Sequence, residues 1–317
     1  MQAPMNNEHS VVDRRVLLYR GLKHFALVLL LGLVAKSFII DSVVIQGDQM
    51  SPTLLKGDRI VYFKAPYIIG DLSPLPRRGT PVLFRSVVDN LPDLLRISSH
   101  SGDTVSADSG ILYTGARPFE FSSVKGDSII PPSYSPRDFF EPYVVPSPGD
   151  SIRLSSLSTR DFLFSLSVLL QEQPHKTIMF NAKVLSSDSV IDNFTVDDFA
   201  LYNGPLNQLP KHLKYDPVFW QRFESHLQQN ASQPLKLRFS VFDDTHEIDL
   251  FKVSGNYVFL IADNWLLGLD SRYFGPVRIS RIIARPFGVL WSHNLDSDGN
   301  RRFIKSRIGK IIKRREK

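Results

Sequence analysis

The sequence predicts a mainly β body, held at a membrane by one N-terminal transmembrane helix and interrupted by a mixed α/β insertion. Three observations carry this reading. A single apolar run lies between residues 22 and 40; strand-like segments flank a long middle region; helix-start signals are confined to that middle region. Twenty-one prolines and eighteen glycines among 317 residues favour turns over a helical bundle. An apolar share of 43% and a charged share of 22% suit a folded chain. There is no cysteine, which excludes disulfides and thiolate metal sites.

The helix comes first. Residues 25–35, FALVLLLGLVA, are wholly apolar, and SFII continues the run after Lys36. From Leu22 to Ile40 the length matches the ~20 residues of a spanning helix. A lysine at mid-bilayer costs about 2.5–3.5 kcal/mol, but Lys36 lies near the far end, where its stem can snorkel outward. The run lacks the polar face of a soluble core helix. Ser37-Phe38-Ile39 also lacks the small residues of a cleavage site, so an uncleaved signal-anchor is expected. Arg14, Arg15, Arg20 and Lys23 precede the run, whereas Asp41 and Asp48 follow it. The positive-inside rule then puts residues 1–21 in the cytoplasm, 22–40 in the cell (inner) membrane and the bulk outside.

Strands follow at IIDSVVIQG, DRIVYFKA and TPVLFRSVV, each bounded by Gly, Pro or Asp, with tight turns at Gly57-Asp58 and Gly102-Asp103. Strand character returns at LKLRFSVFDD and NYVFLIADN. The β domain is expected to comprise residues 41–125 and 250–317. Residues 126–249 would form a proline-rich connection and a divergent insertion. Within that insertion Ser158 or Thr159 is placed to cap one helix, and Asp216 another that begins at Pro217. In the tail RRFIKSRIGKIIKRREK, Ile304, Ile308, Ile311 and Ile312 recur at helical spacing. A short helix on the domain surface is expected there; anionic headgroups are a weaker alternative, and nucleic acid is not an expected partner.

No cofactor and no metal are expected. The histidines are scattered, and neither HExxH nor a glycine-rich phosphate loop occurs. Asp243, Asp244 and His246 read as a solvated turn. Asp296, Asp298 and Asn300 around Gly299 lack the closing acid of a calcium loop and read as a hairpin.

Five islands in order resemble the bacterial type I signal peptidases, membrane-tethered serine proteases that use a serine–lysine dyad. They are SFIIDSVVIQGDQMSPTLLKGDRIVYFK, RRGTPVLF, LLRISSHSGDTV, ADNWLLGLDSRYFGPV and the carboxy-terminal ARPFGVLWSHN…RIGKIIK. Together they cover residues 20–115 and 250–313. The resemblance implies a signal-peptidase-like β domain with retained motif positions at Pro52, Thr53, Gly57, Asp58, Arg96, Gly102, Asp103, Asp263, Asn264, Asp270, Ser271, Arg272 and Gly275. It also implies a structural ion pair between Arg96 and Asp263.

The chemical positions differ. The resemblance puts the nucleophile directly before the methionine of the turn, where this chain has Gln49, an amide with no hydroxyl to deprotonate. The neutral lysine base precedes the arginine, and Leu95 stands there. The serine that holds this lysine corresponds to Gly268, and the serine that assists the oxyanion corresponds to Gly47. Thr80, Ala262 and Trp265 replace an aspartate, a glycine and an arginine of the family. No catalytic residues are therefore expected. Ser51 is the fallback nucleophile, with Lys56, Lys64 and His100 as titratable neighbours in sequence. A two-residue shift moves a side chain by ~6–7 Å, and errors near 1 Å already cost roughly 10²-fold in rate.

The expectation is a proteolytically inactive homologue that keeps a peptide groove, with Gln49, Met50, Pro52 and Leu95 as groove candidates. Its expected partners are membrane lipid and exported preproteins or an active signal peptidase. Two alternatives stand beside it: an active peptidase with a relocated nucleophile, and a structural envelope protein acting through the 151–250 insertion.

Overall fold

The computed structural model describes residues 8–119, 139–230, 235–244, 246–295 and 301–314. Helix α1 (Glu8–Phe38) opens the chain, and its stretch Val16–Phe38 is 23 residues long with a mean hydropathy of 1.6. No part of that stretch is buried against the rest of the protein, so it is long and apolar enough to cross a membrane. It begins earlier and ends sooner than the run 22–40, because strand pairing captures the chain at Ile40.

Four strands follow: β1 (Ile40–Val44), β2 (Asp58–Phe63), β3 (Pro81–Arg85) and β4 (Pro92–His100). Next come β5 (Thr104–Asp108), β6 (Ile111–Thr114), β7 (Arg117–Phe119), β8 (Phe140–Val144) and β9 (Ser151–Arg153). The middle region holds α2 (Thr159–Glu172), β10 (Ile178–Ser186), β11 (Ser189–Val190), β12 (Thr195–Phe199) and β13 (Tyr202–Pro205). It continues with α3 (Lys211–Lys214), α4 (Pro217–Asn230), β14 (Leu235–Asp243) and β15 (His246–Glu247). The chain closes with β16 (Leu250–Lys252), β17 (Tyr257–Ile261), α5 (Ser271–Phe274), β18 (Val277–Arg278), β19 (Ile282–Leu295) and β20 (Arg301–Phe303).

All pairings are antiparallel. The main sheet runs β1-β2-β19-β3-β4-β17-β18, with β20 joined to β19. Two smaller four-stranded sheets run β7-β6-β5-β8 and β11-β10-β14-β15. In β4 every residue from Leu94 to Ser99 is buried, which is why LLRISS reads as a continuous run rather than an alternation. Strand β17, YVFLI, is buried throughout for the same reason.

Three apolar clusters fill the fold. One joins Met50 and Leu54 to Ile60, Leu83, Leu94, Val289 and Ile312. A second lies around Val82, Phe84, Leu95, Ile97, Leu260 and Phe274. The largest combines Val105 and Leu112, the apolar faces of α2 and α4, strands β10 and β14, and Tyr257, Phe259 and Ile261. The middle region therefore shares its core with the body. It is also keyed to the body by polar contacts. Gln171 Nε2 donates to Pro276 O at 2.9 Å while its Oε1 accepts from Arg278 N at 2.7 Å, and Glu172 Oε1 accepts from Tyr257 Oη at 2.9 Å.

The helix caps lie where the sequence places them. Ser158 Oγ accepts from Asp161 N at 3.2 Å, and Asp216 Oδ1 accepts from Val218 N at 2.9 Å. The tail departs from expectation. Residues 304–312 form no α-helix; a 3-10 turn at Lys305–Arg307 leads into extended chain on β19. Val289 N donates to Lys310 O at 2.9 Å and Ile312 N to Phe287 O at 3.0 Å, so a strand surface outcompetes local helix propensity. Ile312 is buried, while Ile308 and Ile311 are exposed. The expected hairpin at Asp296, Asp298 and Asn300 lies outside the described residues, although its flanks pair as β19 and β20.

Arg307 Nε donates to Asp58 Oδ1 at 2.8 Å, joining the tail to the first glycine turn. Burial works against the Asp58 charge, yet Arg307 and Leu55 N together hold its pKa below the usual carboxylate range. Gly57 in this turn has φ +89°, and a Cβ there would lie 1.7 Å from His293 O. Gly57→Ala is thus expected to lower stability by about 2 kcal/mol or more, read as a lowered urea midpoint at unchanged m-value.

Candidate functional site

The main sheet curls until its first and fifth strands in order, β1 and β4, border one cleft of about 600 Å³. Val43 to Gly47 form one side. Pro92, Asp93 and Leu94, with the preceding turn from Ser86 to Leu91, form another. Gln49, Met50, Leu83, Leu269 and Phe274 complete it. Strand β1 pairs only with β2, so its other edge is unpaired among the described residues. Strand β17 pairs with β4 from Arg96 to His100, whereas β3 pairs with it from Pro92 to Arg96. Residues 92–95 therefore carry a second strand edge without a ladder partner among the described residues.

Two buried ion pairs hold the strands that border this cleft. Arg96 Nε and Nη2 donate to Asp263 Oδ1 and Oδ2, both at 2.6 Å, and Nη1 reaches Gly79 O at 2.5 Å and Lys313 O at 3.3 Å. The pair is at most 1% exposed. Asp270 accepts from Arg272 Nε at 2.9 Å and Nη2 at 3.0 Å, caps α5 through Arg272 N, and accepts from Ala262 N at 2.9 Å. Trp265 covers the Arg272 guanidinium, whose carbon lies 3.9 Å from the ring centroid. Ser271 Oγ accepts from Leu260 N at 2.9 Å. Asn264 N donates to Gln49 O at 2.8 Å and its side chain reaches Asp48 O at 3.4 Å, which fixes the QGDQM turn against the last motif. Thr53 O accepts from Arg307, and Asp103 Oδ2 closes the Gly102 turn by accepting from His100 N at 2.7 Å.

The positions where the family resemblance puts reactive groups are filled. Gln49 Nε2 donates to Asp93 Oδ1, across from the turn to β4. A Cβ on Gly47 would lie 3.1 Å from Gln49 Oε1, so the longer side chain at 49 occupies the space beside 47. A Cβ on Gly268 would lie 2.0 Å from Ala262 Cβ. The methyl at 262 thus stands where a side chain at 268 would be. Leu95 is fully buried with Val82, Phe84 and Ala262. It lies in the core and outside the cleft lining; Pro52 is exposed and also outside it. Both differ from the groove expected from sequence: Leu95 sits deeper than Asp93 on the same face of the strand, packed among Val82, Phe84 and Ala262, and the turn directs Pro52 to solvent. Gln49 and Met50 do line the cleft.

The titratable neighbours of Ser51 are engaged elsewhere or face solvent. Lys64 Nζ donates to Asp41 Oδ2 at 2.9 Å and to Lys36 O at 3.1 Å. His100 ends β4, and its Nε2 meets Pro76 O at 2.7 Å. Lys56 is exposed. Asp243 pairs with Lys176 at the β14–β15 turn. Among the described residues no group of three or more His, Asp or Glu is placed to share an ion.

Asp93 went unnoticed in the sequence. Its signal was present: a carboxylate two residues before Leu95 shares that residue's face of the strand. Burial in the cleft pushes its pKa up to about 6, against the Leu94 N–H (2.7 Å) and Gln49 amide that lower it, with Asp89 and Asp270 adding to the rise. A folded-state pKa above the unfolded value means the folded protein holds the extra proton between about pH 4 and 6. Stability is therefore lost as pH rises through that window. Asp93→Asn is expected to raise stability at pH 7.5 by about 1–3 kcal/mol and to change little at pH 4, measured by urea unfolding at both pH values. Gly268→Ser is expected to cost about 2 kcal/mol or more alone, with much of that loss recovered in the Ala262→Gly/Gly268→Ser pair, a coupling that a double-mutant cycle would measure.

Comparison with known proteins agrees with the geometry. Residues 18–163 match the family model described as signal peptidase, peptidase S26. A signal peptidase I from Bacillus licheniformis is 24% identical over 110 residues, 35% of this chain and 57% of that relative. The chain thus spans little more than half the length of the curated relative it matches. The match runs from α1 through the cleft strands and into α2. Over residues 18–163, a little under half of its length, the chain is similar to the signal peptidase family, peptidase S26.

Proposed function

We propose that this chain is a membrane-anchored signal peptidase homologue without proteolytic activity, whose cleft holds an extended peptide. One observation carries the peptide-binding half: two unpaired strand edges, β1 and residues 92–95 of β4, border the same cleft. An extended chain entering there gains backbone hydrogen bonds from either side, while apolar walls at Ile45, Leu83 and Leu94 receive alternate side chains.

The inactive half rests on chemistry. An acyl transfer needs a nucleophile, a base within hydrogen-bond reach and donors for the oxyanion. Gln49 and Leu95 supply neither of the first two, Gly47 and Gly268 carry no hydroxyl, and the Ala262 methyl takes the space for a side chain at 268. A relocated nucleophile at Ser51 finds no support, since Lys64 and His100 are held by other partners.

Helix α1 would anchor the chain with its N-terminus in the cytoplasm and the cleft outside, near the bilayer, where exported precursors emerge. Such precursors, or an active signal peptidase acting on them, are the partners this reading implies. The test is to incubate the full chain in detergent micelles with a fluorescent preprotein, following cleavage by gel and binding by anisotropy. The expected outcome is binding without processing, unchanged in Ser51→Ala. Processing that disappears in Ser51→Ala would overturn it.

A further inference from the structure

Chemically, the cleft is unlike a plain apolar groove. Its lining contains two carboxylates, Asp89 and Asp93, and no lysine or arginine. Around them stand Val43, Ile45, Leu94 and Phe274. Asp93 is half-buried, and its hydrogen-bond donors are neutral: the Gln49 amide and the Leu94 backbone N–H. Asp270, the other acid near it, already has a bidentate partner in Arg272. Asp93 is thus a half-buried carboxylate with no countercharge in the cleft lining. Its proton affinity is raised, as burial demands.

We infer that the cleft selects an extended peptide carrying a lysine or arginine whose side chain reaches between its apolar walls to Asp93. The inference rests on the peptide-binding reading above and adds to it a side-chain class. A peptide with only small side chains would leave this carboxylate without a countercharge; a basic side chain lays its methylene stem along the walls and brings its charge to the acid. Gln49 then orients the carboxylate from the opposite side. Asp89 adds attraction from the turn before β4.

The sign of the pH effect follows. A bound cation favours ionised Asp93 and lowers its pKa, so binding releases a proton and strengthens as pH rises through about 6. Near pH 5 roughly nine-tenths of the free cleft would hold that proton, which would weaken a basic peptide about tenfold relative to pH 7.5. A neutral peptide would feel little of this.

The experiment scans one lysine through an alanine-rich nonapeptide and compares each peptide with its norleucine counterpart, by anisotropy against the full chain in detergent micelles. Expected is one position where lysine binds at least tenfold tighter than norleucine at pH 7.5, an advantage that falls about tenfold at pH 5 and disappears in Asp93→Asn. If the peptides bind but lysine gives no advantage at any position, the inference fails and the peptide-binding reading stands. An advantage that survives in Asp93→Asn also overturns it. If no peptide in the series binds at either pH, the peptide-binding reading falls, and this inference with it.

Discussion

The bidentate pair between Arg96 and Asp263 is the interaction on which the cleft depends. It is buried on both sides and joins β4 to the segment after β17. Through its remaining nitrogen it also reaches Gly79 O before β3 and Lys313 O in the tail. Losing one partner of such a pair leaves an uncompensated charge, at a cost of about 3–5 kcal/mol. Four stretches far apart in sequence are thereby fixed around one guanidinium. The strand edge at residues 92–95 owes its position to this contact, because Arg96 is the first residue past it.

Around that frame the positions that correspond to the family's reactive groups are closely packed. Gln49 reaches over Gly47 to Asp93, and Ala262 takes the room that Gly268 leaves. Each small residue is matched by a larger neighbour, so packing density is kept. A serine at 268 alone would collide with the Ala262 methyl, whereas one at 47 would require the Gln49 side chain to shift slightly. Leu95 extends the same logic, since a fully buried leucine contributes apolar contact where an ammonium would demand a partner.

The middle region is no appendage. Phe162 stacks on Phe239 at 4.4 Å, Trp220 meets Phe180 and Phe239 edge-on, and this aromatic core continues into Tyr257 and Phe259 of β17. Strand β17 carries the last motif toward Asp263. The region's packing therefore supports the same strand that positions the cleft, which links its folding to the site without any residue of it lining the cleft.

The sequence by itself determined the apolar helix, the order of the strand motifs, the helix caps at Ser158 and Asp216, and the absence of a hydroxyl at 49 and an amine at 95. These are local: each follows from residue chemistry, spacing or a turn that needs no distant partner. Tertiary structure alone decided the rest. The isoleucine spacing of the tail was helical, yet β19 offered backbone partners and drew it into extended chain. Leu95 could be ascribed to the groove by position, but packing against Val82, Phe84 and Ala262 holds it in the core. Asp93 was an unremarked strand residue until Gln49, forty-four positions away, met it across the cleft. Residues 49 and 93, like 262 and 268, acquire meaning only as neighbours, and neighbourhood across a curled sheet is set by register and burial, which no single stretch of sequence contains.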